Sequence, residues 1–168
     1  MSVIFADQVS DQFVQRVRAI AERLDTDPNF LMAVMAFESA GTFSPRVRNP
    51  HSGATGLIQF MPSTARALGT TVDALAQQSA EEQLHYVERY LRPYRGRMQT
   101  LSDVYMAVLW PRAVGAAPGT VLFDEVDGAL YRQNRGLDAN RDGAVTKAEA
   151  AASVQARYDA GQKALCND

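Results

Sequence analysis

Cysteine is almost missing from this 168-residue chain: only Cys166 is present, near the C-terminus. An intramolecular disulfide is therefore excluded, and one thiol carries no information about compartment. Long hydrophobic runs are missing too. The most apolar stretch, Phe30–Phe37, is far too short to span a bilayer. An excess of one charge sign is missing as well: 17 Lys and Arg stand against 19 Asp and Glu, for a formal net charge of −2 and a pI of about 5.7. With no basic stripe interleaved with aromatics, nucleic-acid binding is not expected. The two histidines, His51 and His85, are isolated and read as exposed bystanders. The opening residues, MSVIFADQVSDQF, have neither a basic n-region nor a full apolar h-region, so no signal peptide is expected.

What is present suits one domain with a small appendage, since 46% hydrophobic and 21% charged residues allow a real core. Asp7–Leu24 spaces Val9, Phe13, Val17, Ile20 and Leu24 three or four apart, which predicts an amphipathic helix. The next helix is the centre of the chain. Asp25, Thr26 and Asp27 offer N-cap oxygens, Pro28 falls in the first turn, and Phe30–Phe37 follows without a polar break. A helix apolar on all sides is a buried one. Glu38 stands in its last turn, just before Gly41 as the C-terminal glycine. Partial desolvation and the negative end of the helix dipole both oppose ionisation there. A glutamic acid kept protonated near neutral pH is what a general acid requires; the plainer alternative is a Glu at the helix rim that reaches water.

An irregular stretch, TFSPRVRNPHSGATG, comes next, long enough to be functional. Leu57–Leu68 predicts a short helix ended by Gly69, with Pro62 near its start or at a kink. Ser79-Ala-Glu-Glu82 is a capping box, opening a helix through Leu84, Val87, Tyr90 and Leu91. Thr100-Leu-Ser-Asp103 opens another, which ends at Trp110-Pro111. No stretch up to Gly115 alternates as a strand would, so the expected fold class is all-α. Ala116–Thr120 reads as a boundary, dividing the chain into 1–118 and a C-terminal segment, 119–168, that ends in an alanine-rich helix, Thr146–Ala160.

Two stretches resemble the soluble lytic transglycosylase family of the lysozyme superfamily. Glu38-Ser39 matches that family's Glu-Ser motif at the end of a buried helix. Gly56-Leu57-Ile58-Gln59-Phe60-Met61-Pro62-Ser63-Thr64-Ala65 is close to its Gly-Leu-Met-Gln-hydrophobic-Met-Pro-x-Thr-Ala stretch. The resemblance spans roughly Pro28 to Gly115 by the length and order of helices. A third family motif, Ala-Tyr-Asn-Ala-Gly, is not matched: Leu109-Trp110 stand where its Tyr-Asn would fall. Tyr105, one helical turn earlier, is a candidate to supply a hydroxyl from the same face, and Trp110 a candidate wall for stacking a sugar.

The resemblance implies a lysozyme-like helical domain acting on peptidoglycan. Glu38 would protonate the glycosidic oxygen between N-acetylmuramic acid (MurNAc) and N-acetylglucosamine (GlcNAc). The muramoyl 6-hydroxyl would then attack the anomeric carbon, giving a 1,6-anhydro end. Gly56, Gln59 and Phe60 would belong to the groove, with Gln59 contacting substrate or positioning Glu38; tying down loop backbone is its plainer role. Ser39 divides evenly between substrate contact and capping the helix end. A hydrolase needs a second carboxylate across the bond. None accompanies the matched motifs, and Asp73, Glu81, Glu82 and Asp103 are explained by helix starts and caps. The alternatives are a muramidase hydrolysing the same bond, and a non-catalytic wall-binding or virion structural protein.

In the C-terminal segment, residues 138–149 fit the EF-hand loop pattern D-x-[DN]-x-[DN]-G-x₅-E. Asp138, Asn140 and Asp142 fall at positions one, three and five, Gly143 takes the sharp turn, and Ala144 offers its carbonyl. Thr146 holds the water-or-side-chain position, and Glu149 is the bidentate ligand. The alternative is an Asn/Asp-Gly surface turn before a helix. Gly136, just before the loop, argues against a full entering helix, and a single loop predicts structural calcium rather than a sensor pair. Peptidoglycan strands are the expected partner and a monomer the expected state. Action on a wall without an export signal fits a phage-borne or secretion-delivered protein, whose partners would be a phage particle, a secretion machine or an immunity protein.

Overall fold

A computed structural model describes residues 2–167. α1 (Asp11–Leu24) buries Phe13, Val17, Ile20 and Leu24, the face that its spacing predicts. It starts later than Asp7 because a 3-10 turn, Ala6–Gln8, precedes it and Ser10 takes the N-cap, accepting from the Phe13 amide. α2 (Pro28–Glu38) has Asp27 as its N-cap, with Leu31 through Ala36 all buried. Removing each larger side chain of that run from water contributes about 1.5–3 kcal/mol. Ala40 and Gly41 then turn left-handed (φ 53° and 81°), and the Gly41 amide donates to Ala36 O at 2.7 Å.

The expected helix over Leu57–Leu68 is corrected: only α3 (Pro62–Ala67) is helical. Residues 55–60 form a tight turn, in which Gly56 and Gln59 have positive φ (88° and 55°) and Thr55 and Phe60 exchange backbone hydrogen bonds. A helix does not pass through left-handed residues. The structure adds an unforeseen α4 (Val72–Gln77), capped by Thr71. α5 (Ala80–Leu91) carries the complete Ser79/Glu82 capping box. α6 (Leu101–Leu109) is capped by Thr100 and stops at Trp110.

The fold is mostly helical, as expected, with one small sheet added in the C-terminal segment. Val121–Asp124 (β1) pairs antiparallel with Ala144–Thr146 (β2) in a two-stranded sheet. Strands of three and four residues are too short for alternation to show in sequence. Between them lies α7 (Ala129–Asn134), a single short helix followed by a 3-10 turn, Arg135–Leu137. α8 (Lys147–Leu165) closes the chain and packs along both α2 and α6. The core is continuous across residue 118: Leu122, Phe123, Val145, Ala150 and Val154 join the same buried cluster as Met32, Leu84 and Val104. No helix among the described residues is long and apolar enough to cross a membrane.

Candidate active site

Glu38 is the last residue of α2, half-buried at the edge of the core. Burial pushes its carboxyl up to about 7, and no charged neighbour contributes to that shift. Two phenols share its surroundings. Burial pushes Tyr90 up to about 12, with Tyr94 and Glu38 adding to the effect. Burial pushes Tyr105 higher still, again with Glu38 adding. Tyr105 packs edge-on against Phe37, its ring centroid 5.6 Å away, and Tyr90 donates from its hydroxyl to Ala107 O at 2.5 Å. Tyr90 escaped sequence reasoning because it fits the apolar face of α5 as well as any core residue does.

The 55–60 turn meets Tyr90 as well. Gln59, Phe60 and Met61 line a narrow cleft together with Tyr90 and Val108. Phe60 is itself buried and stands edge-on to Tyr90. Gln59 uses both amide protons on backbone, donating to Val47 O (3.0 Å) and Gly56 O (3.1 Å), so only its oxygen is left for a ligand. Ser39 is fully buried, and its hydroxyl accepts from the Phe43 amide at 2.9 Å. Gly56 is held by a residue that the sequence did not single out. Gln83 is fully buried on α5, accepts from the Leu57 amide (2.8 Å), and donates to Leu75 O (3.0 Å) and Pro45 O (3.2 Å). A Cβ on Gly56 would lie 2.3 Å from the Gln83 side chain. Only glycine permits that approach together with a φ of 88°.

Trp110 faces elsewhere. Its ring packs against Phe123 of β1 with centroids 4.9 Å apart, and the Arg112 guanidinium lies over it at 5.8 Å. The four carboxylates available as a second catalytic group are each engaged. Asp73 is exposed and pairs with Arg48 at 2.8 Å. Glu81 accepts from the Ser10 hydroxyl at 2.5 Å, and Glu82 closes its capping box. Asp103 is buried in an ion pair with Lys147.

Residues 138–149 form a closed loop. Asp138 accepts from the Asp142 and Gly143 amides and from the Tyr131 hydroxyl (2.7 Å). Asn140 and Asp142 accept from loop amides as well. Gly143 makes the sharp turn with φ 85°, and Val145 is fully buried. Glu149 reaches back to the Ala139 amide (2.9 Å) while capping α8 through Thr146. Carboxylate, amide and carbonyl oxygens are the donors that a hard cation such as calcium takes. No three acidic, histidine or cysteine side chains among the described residues are gathered closely enough to hold a metal.

Glu38 thus ends a core helix, half-buried near Tyr90 of α5 and Tyr105 of α6 in a mostly helical domain. The family model of the transglycosylase SLT domain matches residues 15–101, just over half of the chain. The chain belongs to the transglycosylase SLT domain family, in which the shared activity is peptidoglycan degradation of the lytic transglycosylase type. The match begins in α1, earlier than the motifs alone mark, and stops at the start of α6, before Trp110.

Proposed function

We propose that this protein cleaves the MurNAc–GlcNAc β-1,4 bond of peptidoglycan by transglycosylation, with Glu38 as the only acid and base. One observation carries the reading: burial alone raises Glu38 to about 7, while Asp73, Glu81, Glu82 and Asp103 are all engaged elsewhere. The Glu38 proton passes to the glycosidic oxygen as the bond to the anomeric carbon breaks, and the GlcNAc 4-hydroxyl leaves. The muramoyl 6-hydroxyl then bonds to the anomeric carbon and returns its proton to the Glu38 carboxylate. The product is a 1,6-anhydroMurNAc end, and the acid is regenerated without water. Tyr105 and Tyr90 supply the apolar surroundings that keep the acid protonated. Gln59 holds the loop wall and offers its oxygen to the glycan, Gly56 lets that wall close on Gln83, and Ser39 fixes the chain beyond Glu38.

Calcium is the cation that the 138–149 loop suits, through Asp138, Asn140, Asp142, Ala144, Thr146 and Glu149. When bound, it would neutralise the loop's carboxylates and stiffen the segment against the helical domain. The deciding experiment weighs muropeptides released from purified peptidoglycan, with and without calcium. Ends one water lighter than hydrated reducing ends support transglycosylation; hydrated ends mean a muramidase. Glycan binding with no cleavage by the wild type would mean a wall-binding protein.

A further inference from the structure

The matched family segment stops at residue 101, before Trp110, Arg112, β1 and α7. These unmatched parts meet around one cleft of about 460 Å³. Trp110, Arg112 and Ala113 form one wall, and Thr120, Leu122 and Leu130 the other. The volume is within the range of small-ligand sites. The two clefts flank the end of α6: Val108 lines the narrow one beside Gln59, and Trp110, two residues later, lines this one.

The chemistry of this cleft is that of a cation on an apolar rim. Arg112 is exposed and lies over the Trp110 ring, 5.8 Å from its centroid, and it makes none of the ion pairs found among the described residues. A guanidinium stacked on a ring keeps its in-plane N–H groups for a planar acceptor such as a carboxylate. The Trp110 ring is covered by Arg112 on one side and abutted by Phe123, so it does not offer the open platform that a pyranose would stack on. Val121 and Leu130, 49% and 39% exposed, supply aliphatic surface beside the cation.

We propose that this cleft binds the acidic peptide stem carried by the muramoyl residue of the glycan, with Arg112 pairing with a stem carboxylate. The proposal rests on the glycan-cleaving reading above. It gives the C-terminal segment a place in substrate selection: β1 and α7 complete a subsite that the helical domain alone leaves open.

The test uses calorimetry on the full chain carrying Glu38→Gln, so that ligands bind without turnover. The probes are a glycan fragment bearing its peptide stems and the same fragment stripped of them. The stem-bearing fragment is expected to bind about tenfold tighter, the effect of one charge-assisted hydrogen bond. Adding Arg112→Gln should erase that advantage and leave the affinity for stripped glycan unchanged. In turnover, R112Q alone should raise KM on stem-bearing glycan only. An advantage that survives R112Q, or no advantage at all, overturns the subsite while leaving glycan cleavage standing. Failure to bind or cleave either glycan would instead remove the proposed function, and the subsite with it.

Discussion

Lys147 Nζ stands 2.5 Å from Asp103 Oδ1, with both side chains almost fully buried. The pair joins α6 to the first residue of α8, and Lys147 lies inside the 138–149 loop. Both ends are further satisfied: Lys147 donates to Ala116 O, and Asp103 accepts from the Gly115 amide and the Thr100 hydroxyl. The C-terminal segment is thereby locked to the helix that carries Tyr105.

Breaking one side of this pair leaves a buried charge without its partner. Lys147→Met is expected to destabilise the protein by about 3–5 kcal/mol, and the double variant with Asp103→Leu should recover part of that loss. Urea unfolding of the two singles and the double measures the coupling.

Burial works against the Asp103 charge, but the Lys147 ammonium, the Gly115 amide and the Thr100 hydroxyl outweigh it and hold the carboxyl below its ordinary range. A depressed folded-state value means that stability is present above the unfolded carboxylate range and is lost as pH falls through the folded value. Wild-type stability should therefore decline in acid more steeply than that of the Asp103→Leu/Lys147→Met double variant. Unfolding midpoints measured from pH 6 down to about pH 2 test this, the extra loss setting in only below the free carboxylate range.

Glu38 has the opposite sign. With its carboxyl raised to about 7, the acid form is lost as pH rises through that value, and cleavage should fall with it. Glu38→Gln should abolish cleavage. The same raised value costs wild-type stability as pH rises through it, because the half-buried group must ionise. E38Q should therefore gain on the order of 1–3 kcal/mol over wild type between pH 5 and pH 8. Equal pH dependence of unfolding in the two proteins would contradict the raised value.

Gly56 and Gly69 both have positive φ, but only Gly56 has a neighbour where its Cβ would go. Gly69→Ala should show backbone strain alone, about 1–2 kcal/mol. Gly56→Ala adds the clash with Gln83 and should cost roughly 2–4 kcal/mol. Thermal unfolding compares the two, and activity should fall only for Gly56→Ala, whose loop walls the groove.

If the 138–149 loop takes calcium, a millimolar excess should raise Tm by several degrees through preferential binding to the folded state. Asp142→Ala should remove the calcium-dependent increment whatever its effect on the metal-free protein. No increment in the wild type at any calcium concentration would leave the loop as a turn before α8.

Much of the helical domain was legible because its signals are local. Proline in the first turn, the Ser79 and Thr100 caps and an unbroken apolar run mark α2, α5 and α6 by side-chain chemistry within a few residues. The turn at Gly56 was misread as helix because Leu57–Leu68 carries apolar residues at helical intervals. The left-handed φ of Gln59 goes with the Thr55–Phe60 backbone pair that closes the turn and with the Gln59 side-chain bond to Val47 O, which no local pattern announces. Gln83 was invisible for a related reason: a glutamine on an amphipathic helix looks solvated until its three partners, up to 38 residues away in sequence, are placed around it.

By itself the sequence determined the buried α2 with a glutamate at its end, and the oxygen-rich 138–149 loop, since burial and turn chemistry follow from neighbouring residues. Only the tertiary structure decided that Tyr90 and Tyr105 share the surroundings of Glu38 and that Asp103 is taken by Lys147. It also turned Trp110 toward β1. Those outcomes depend on which helices pack together, and packing joins residues through space at separations that no local pattern encodes.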